Sequence, residues 1–173
     1  MGKGKMPLTL YEITIPVFVR SFGSLRAILE KGRAFADEKG ISHDELTAAR
    51  LFPDMLPLTG QIQRASDTAR FVAVRVAGAE PVSMADEEKS FDDMQARIAA
   101  TVEYLNRVPA SSFDGTEGKE VTVQTRRGEL RYTGVTYALQ YALPNFFFHV
   151  TTAYDILRHK GVPLSKPDFL RGG

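Results

Sequence analysis

Cysteine is absent from the 173-residue chain. That excludes disulfides, thiolate nucleophiles and thiolate metal sites together, and it fits a cytoplasmic protein. Long apolar runs are missing as well. No stretch approaches the ~20 apolar residues that span a bilayer, and MGKGKMPLTL carries basic residues without the apolar run of a secretory signal. Gly2 follows Met1, but Met6 stands where a myristoylation motif wants Ser or Thr. We therefore expect no membrane association, and a mobile end over residues 1–6. Neither charge sign is in surplus: 22 basic and 21 acidic residues leave a net charge of +1. This argues against long-range attraction to nucleic acid as the protein's main business. HExxH, the Gly-rich phosphate loop and the GxSxG elbow are all absent.

What is present is ordinary globular material, 43% apolar and 25% charged. The length suits a single domain over residues 1–173 with its own core. Over residues 8–36, Tyr11, Ile15, Phe18, Phe22, Leu25 and Leu29 recur at steps of a helical turn, with Pro16 predicting a kink or a late start. Ser42 and Glu45 form a capping-box pattern for a short helix over residues 43–50. A second long helix is predicted from Asp54 as its cap to Ala77, with Pro57 in its first turn and Gly78 beyond its end. A third covers residues 87–107 and buries Phe91, Met94, Ile98, Thr101 and Leu105. The acidic cluster Asp86, Glu87, Glu88, Asp92 and Asp93 reads as a solvated helix start complementing the macrodipole.

The period then changes. In KEVTVQTRRGELRYT (119–133) two alternating runs flank Gly128, which predicts a β-hairpin with Arg126 and Arg127 at its tip in solvent. The fourth long helix ends at Lys160, before Gly161 and Pro163. It either starts at Pro144 or bends there from a segment beginning near Thr136. The chain is thus expected to be all-α: a four-helix bundle with a small β-hairpin between the third and fourth long helices. The long second connection leaves room for non-sequential neighbours.

Polar residues interrupt two of the apolar stripes. On the fourth helix, at about 100° per residue, Asn145 and His149 share a stripe with Ala138, Ala142, Thr152 and Ile156. On the second, Gln63 and Asp67 share one with Leu56, Gly60, Phe71 and Val74. If both stripes face the axis, Gln63, Asp67, Asn145 and His149 converge. Buried polar groups cost roughly 1–3 kcal/mol each unless partnered. Three arrangements meet that requirement. One is a hydrogen-bond network in which Asp67 or Gln63 accepts from His149. Another is a metal held by His149 and Asp67, and the third is a ligand pocket with Asp67 and His149 as a proton-transfer pair. His43 and His159 read as surface residues, the latter favourably placed at a helix C-terminus.

RLFPDMLPLTGQIQRASDTAR (50–70) and LPNFFFHVTTAYDILRHKGVPL (143–164) resemble a bacterial domain-of-unknown-function family grouped with the DinB/YfiT-like metalloenzymes. The likeness runs from Leu8 to Leu170. It implies a DinB-like four-helix bundle, often assembled as a homodimer. Members of the wider superfamily bind a divalent metal, such as zinc or nickel, through one histidine on the second helix and an HxxxH pair on the fourth. Some use a low-molecular-weight thiol on electrophilic substrates. Carried over, only His149 matches a histidine of that pattern. Asn145 precedes it by one turn, Ala153 follows by one turn, and the second helix offers Gln63 and Asp67.

The expectation is therefore a small-molecule pocket lined by Gln63, Asp67, Asn145 and His149, with catalysis left open. The competing reading is a non-catalytic dimeric bundle in which the same residues close a structural network. Space separates the two. A ligand site needs an opening of roughly 300 Å³ or more, whereas a network should leave every donor and acceptor paired.

Overall fold

The computed structural model describes residues 8–171. Helix α1 spans Ile15–Lys39, with Pro16 in its first turn. Pro16 thus marks a late start, not a kink, because an N-terminal proline has no intrahelical bond to lose. The preceding turn is closed by Thr14, whose hydroxyl donates to the Leu10 carbonyl at 2.6 Å. Gly40, at φ 63°, closes α1 in the left-handed conformation that favours glycine.

Helix α2, His43–Thr47, is shorter than expected, and Ser42 makes no capping hydrogen bond. The Glu45 carboxylate lies instead 3.5 Å from Lys160. Helix α3 spans Leu58–Arg75, not 54–77. Pro57 disfavours helical geometry at Leu56, so the helix cannot run through from Asp54. Helix α4, Phe91–Asn106, starts later than residue 87 because Ser90 and Asp93 close a capping box. Asp86, Glu87 and Glu88 consequently lie in the segment before the helix.

Strands β1 (Glu120–Thr125) and β2 (Gly128–Thr133) form the hairpin, with Val121 opposite Tyr132 and Val123 opposite Leu130. Gly128 at φ 117° allows the tight turn. The fourth long helix has three parts: α5 (Gly134–Thr136), a π-helical turn (Tyr137–Ala142) and α6 (Leu143–His159). The second alternative for Pro144 holds. Its ring nitrogen cannot donate to the preceding turn, and the widened π ladder falls where that bond would be missing. A further helix, α7 (Lys166–Arg171), was not foreseen; it docks on α1 through an ion pair of 2.5 Å between Lys31 and Asp168.

Around the bundle, α4 and α6 each pack against both α1 and α3. The first two long helices are therefore diagonal, and the long connection into α4 makes this order possible. The core is apolar and aromatic. Phe146 lies 4.6 Å from Phe18 and 5.2 Å from Phe22, ring centre to ring centre. Tyr137 and Phe113 close its hairpin end. The fold is the expected all-α bundle with one hairpin. Among the described residues no helix is long and apolar enough to cross a membrane. The expectation for residues 1–6 lies outside the described residues.

Candidate functional site

The four residues singled out in the sequence divide into two groups. Asn145 and His149 face α3, but their partners there are not Gln63 and Asp67. Asn145 donates to the Thr68 hydroxyl at 2.7 Å, and His149 Nδ1 lies 2.8 Å from Gln61 Oε1. Gln61 and Gln63 are about 200° apart on a helix, so only one of them can face α6. The inner face runs through Leu58, Gln61, Ile62, Ala65 and Thr68, while Phe71 of the expected stripe is 40% exposed. The stripe read from the sequence was rotated away from the core.

Gln61 Nε2 donates to the Leu56 carbonyl at 3.0 Å. Its Oε1 is thereby the acceptor for His149, which places the imidazole proton on Nδ1. Nε2 of His149 has no hydrogen-bond partner among the described residues. Burial, with the nearby Arg64 charge adding to it, lowers the His149 pKa to about 4. At neutral pH this is an uncharged ring with a free lone pair on Nε2.

Gln63 and Asp67 belong to an ion network on the α4 side. Asp67 Oδ1 accepts from Arg70 and, at 3.0 Å, from Arg97, while Oδ2 lies 3.2 Å from Arg64. Arg97, 2% exposed at its side chain, also holds Glu88 at 2.8 Å, Asp86 at 3.1 Å and the Ala85 carbonyl at 3.0 Å. Gln63 Nε2 donates to Glu88 at 2.7 Å. Burial would raise the Glu88 pKa, but the hydrogen bonds from Arg97 and Gln63 outweigh it and hold the carboxyl below its usual value. The acidic cluster is therefore only partly the solvated helix start expected. Asp93 caps α4, but Glu88 turns inward to meet Arg97, and Asp86 pairs with the same arginine from the surface.

A cavity of about 210 Å³ opens beside this seam. Its wall includes Asp67, Thr68 and Arg75 of α3, Val123 of β1, Tyr137 and Tyr141 of the π turn, and Asn145 of α6. Asp67 and Asn145 thus share a cavity without touching. Gln63 and His149 are not in its wall, although Arg64 is in the wall and its charge acts on His149. Larger grooves of about 450 and 390 Å³ lie elsewhere on the surface. Arg97 and Glu88 in the first of these are paired with each other, although Arg97 Nε is buried without a partner among the described residues.

The donor set does not fit the metal centre implied by the resemblance. Asp67 already accepts from three guanidinium groups, and Asn145 is engaged with Thr68. Among the described residues no group of three or more His, Cys, Asp or Glu side chains could hold a metal ion. Nor does Asp67 hydrogen bond to His149, so the expected proton-transfer pair is not joined. Gln61, Arg64, Arg75, Arg97 and Tyr137 escaped the sequence reading. Arg97 carried one usable signal, since it falls beside Met94 and Ile98 on a core stripe.

A family model described as domain of unknown function (DUF1993) matches residues 10–170. Among solved structures, the chain is similar to the crystal structure of a DinB family member protein from Shewanella denitrificans. The two are 35% identical over 93% of this chain and 91% of that one, with a TM-score of 0.84. No curated protein matches the chain.

Proposed function

The chain belongs to the domain-of-unknown-function family DUF1993, within the DinB-like helical bundles, and on that premise we propose that it binds a small molecule between α3 and the fourth long helix. The observation that carries this reading is the cavity of about 210 Å³ with Asp67 and Asn145 in its wall. At about 210 Å³ the cavity falls short of the roughly 300 Å³ expected above for a ligand site, so the reading is confined to a ligand smaller than drug size. Asn145 contacts it. His149, one turn further along α6, keeps the adjoining seam uncharged at neutral pH. With a pKa near 4 it is a poor proton donor there, which favours a binding or positioning role over general acid catalysis.

Gln63 and Asp67 fit the competing structural reading better, because each is already partnered within the ion network. The two readings thus divide between different residues. In the binding reading, a library of small fragments titrated into ¹⁵N-labelled protein perturbs the side-chain amide of Asn145 and the backbone amides of Thr68 and Tyr141. A library that moves none of these signals overturns it.

The same reading includes a homodimer. Leu56 (43% exposed) and Phe148 (56%) lie at one end of the α3–α6 seam, linked through Gln61 and His149. Their apolar surface favours burial against a second copy.

A further inference from the structure

Arg75 differs from the other arginines of this region in having no carboxylate to answer its charge. Arg64, Arg70 and Arg97 are set against Asp67, Asp86 and Glu88, three cations against three anions. Arg75, in the last turn of α3, has no carboxylate within ion-pair reach among the described residues. Its guanidinium carbon sits 4.4 Å from the centre of the Phe71 ring and 5.7 Å from that of Tyr137. Nη1 donates to the Tyr137 hydroxyl at 2.9 Å. These contacts hold the guanidinium in the cavity wall and leave Nε and Nη2 without a protein acceptor among the described residues.

Tyr137 is 0% exposed, and its hydroxyl oxygen accepts from Arg75. Asn145 spends one amide proton on Thr68 and keeps the second. The cavity therefore presents a guanidinium edge, fixed from behind by the buried Tyr137 hydroxyl, and an amide N–H. The only carboxylate in its wall among the described residues, Asp67, is held by three arginines. Phe71 and Tyr141 supply an aromatic surface beside these donors.

We propose that this cavity takes a small organic monocarboxylate, with its carboxylate on Arg75 and its body against Phe71 and Tyr141. Charge and surface both select that class. One uncompensated cation matches one negative charge better than two, and a planar guanidinium matches the fork of a carboxylate. Aromatic walls reward an organic body, which inorganic phosphate lacks. The inference rests on the small-molecule reading above and narrows it to a ligand class.

The test titrates benzoate, its neutral isostere benzamide and inorganic phosphate into the full chain by calorimetry, with the Asn145 side-chain amide followed by NMR. Benzoate is expected to bind on the order of tenfold or more tightly than benzamide, since a charge-assisted pair is lost in the neutral compound. Arg75→Gln should bring benzoate down to the level of benzamide, and Arg75→Lys should recover part of the difference. Tyr137→Phe, nearly isosteric and safe for the core, should weaken benzoate severalfold while leaving benzamide little changed. Equal binding of the two probes overturns the proposal. So does phosphate binding more tightly than benzoate, or benzoate binding that neither Arg75→Gln nor Tyr137→Phe alters. Benzamide shifting Asn145 while benzoate does not would overturn the ligand class and leave the small-molecule reading standing. No probe shifting Asn145 would overturn the proposal, and a silent fragment library beside it would remove the small-molecule reading as well.

Discussion

At the residue scale, His149 is a hydrogen-bonded neutral ring, and this sets its expected behaviour. Its Nδ1–H satisfies Gln61, whose amide is fixed by the Leu56 carbonyl. His149→Ala leaves Gln61 Oε1 unpaired in a part-buried position and should cost roughly 1–3 kcal/mol, measured by urea denaturation. A second outcome concerns pH. The folded pKa near 4 lies below the ordinary value of 6.5, so between those limits the unfolded chain binds more protons than the folded one. Stability contributed by the neutral ring is thus complete above about pH 6.5 and is lost progressively as the pH falls towards 4. Melting temperatures from pH 7.5 to 4.5 should decline in this window, and His149→Gln should flatten the upper part of that decline. The carboxyls of Glu88 and Asp168, held below their usual values, act lower on the scale. A wild-type protein whose stability is level between pH 6.5 and 5 would contradict the buried neutral imidazole.

At the element scale, the segment between α3 and α4 is held down by charge more than by apolar burial. Arg97 joins Asp67 of α3 to Asp86, Glu88 and the Ala85 carbonyl of that segment. Removing Arg97 takes from part-buried Glu88 its one cationic partner among the described residues, while Asp67 and Asp86 keep Arg64, so Arg97→Ala should cost about 3 kcal/mol. Arg107 offers the control. Its pair with Glu103 joins two side chains more than half exposed, and Arg107→Ala should change stability by no more than about 0.5 kcal/mol. Equal effects at the two positions would show that the network carries no special weight. The junction between β2 and the fourth long helix is a second constraint. A Cβ on Gly134 would meet the Thr116 carbonyl oxygen at 2.1 Å, and that atom belongs to backbone. Gly134→Ala should therefore destabilise by ~1–3 kcal/mol, whereas Gly118→Ala, with open space around it, should not.

At the scale of the whole molecule, the bundle order decides which faces meet. With α1 diagonal to α3, the inner face of α3 is shared between α4 and α6. One side of the helix then serves the ion network, and the other serves Asn145, His149 and the cavity. The proposed homodimer belongs to this scale too. Light scattering on the eluting protein should give about twice the 19.2 kDa chain mass, and Phe148→Glu should shift it to a single chain by placing a charge in the proposed interface. A monomer at all concentrations would remove the dimer from the functional reading.

The amino-acid sequence by itself determined the four long amphipathic segments, the hairpin and the fold family, because periodicity, turn residues and chain motifs are local properties that survive without a partner. It also located the α3–α6 seam as the polar part of the bundle, through Asn145 and His149. Only the tertiary structure decided which residues meet there. A helix rotated by part of a turn exchanges Gln61 for Gln63, and that rotation depends on how α3 divides its surface between α4 and α6. Composition likewise could not show that Glu88 in the acidic run before α4 turns inward, since the arginine that draws it in lies on the helix that follows. Nothing in the sequence singled out Arg75. Its unanswered charge emerges only once every carboxylate near the cavity has been assigned a partner.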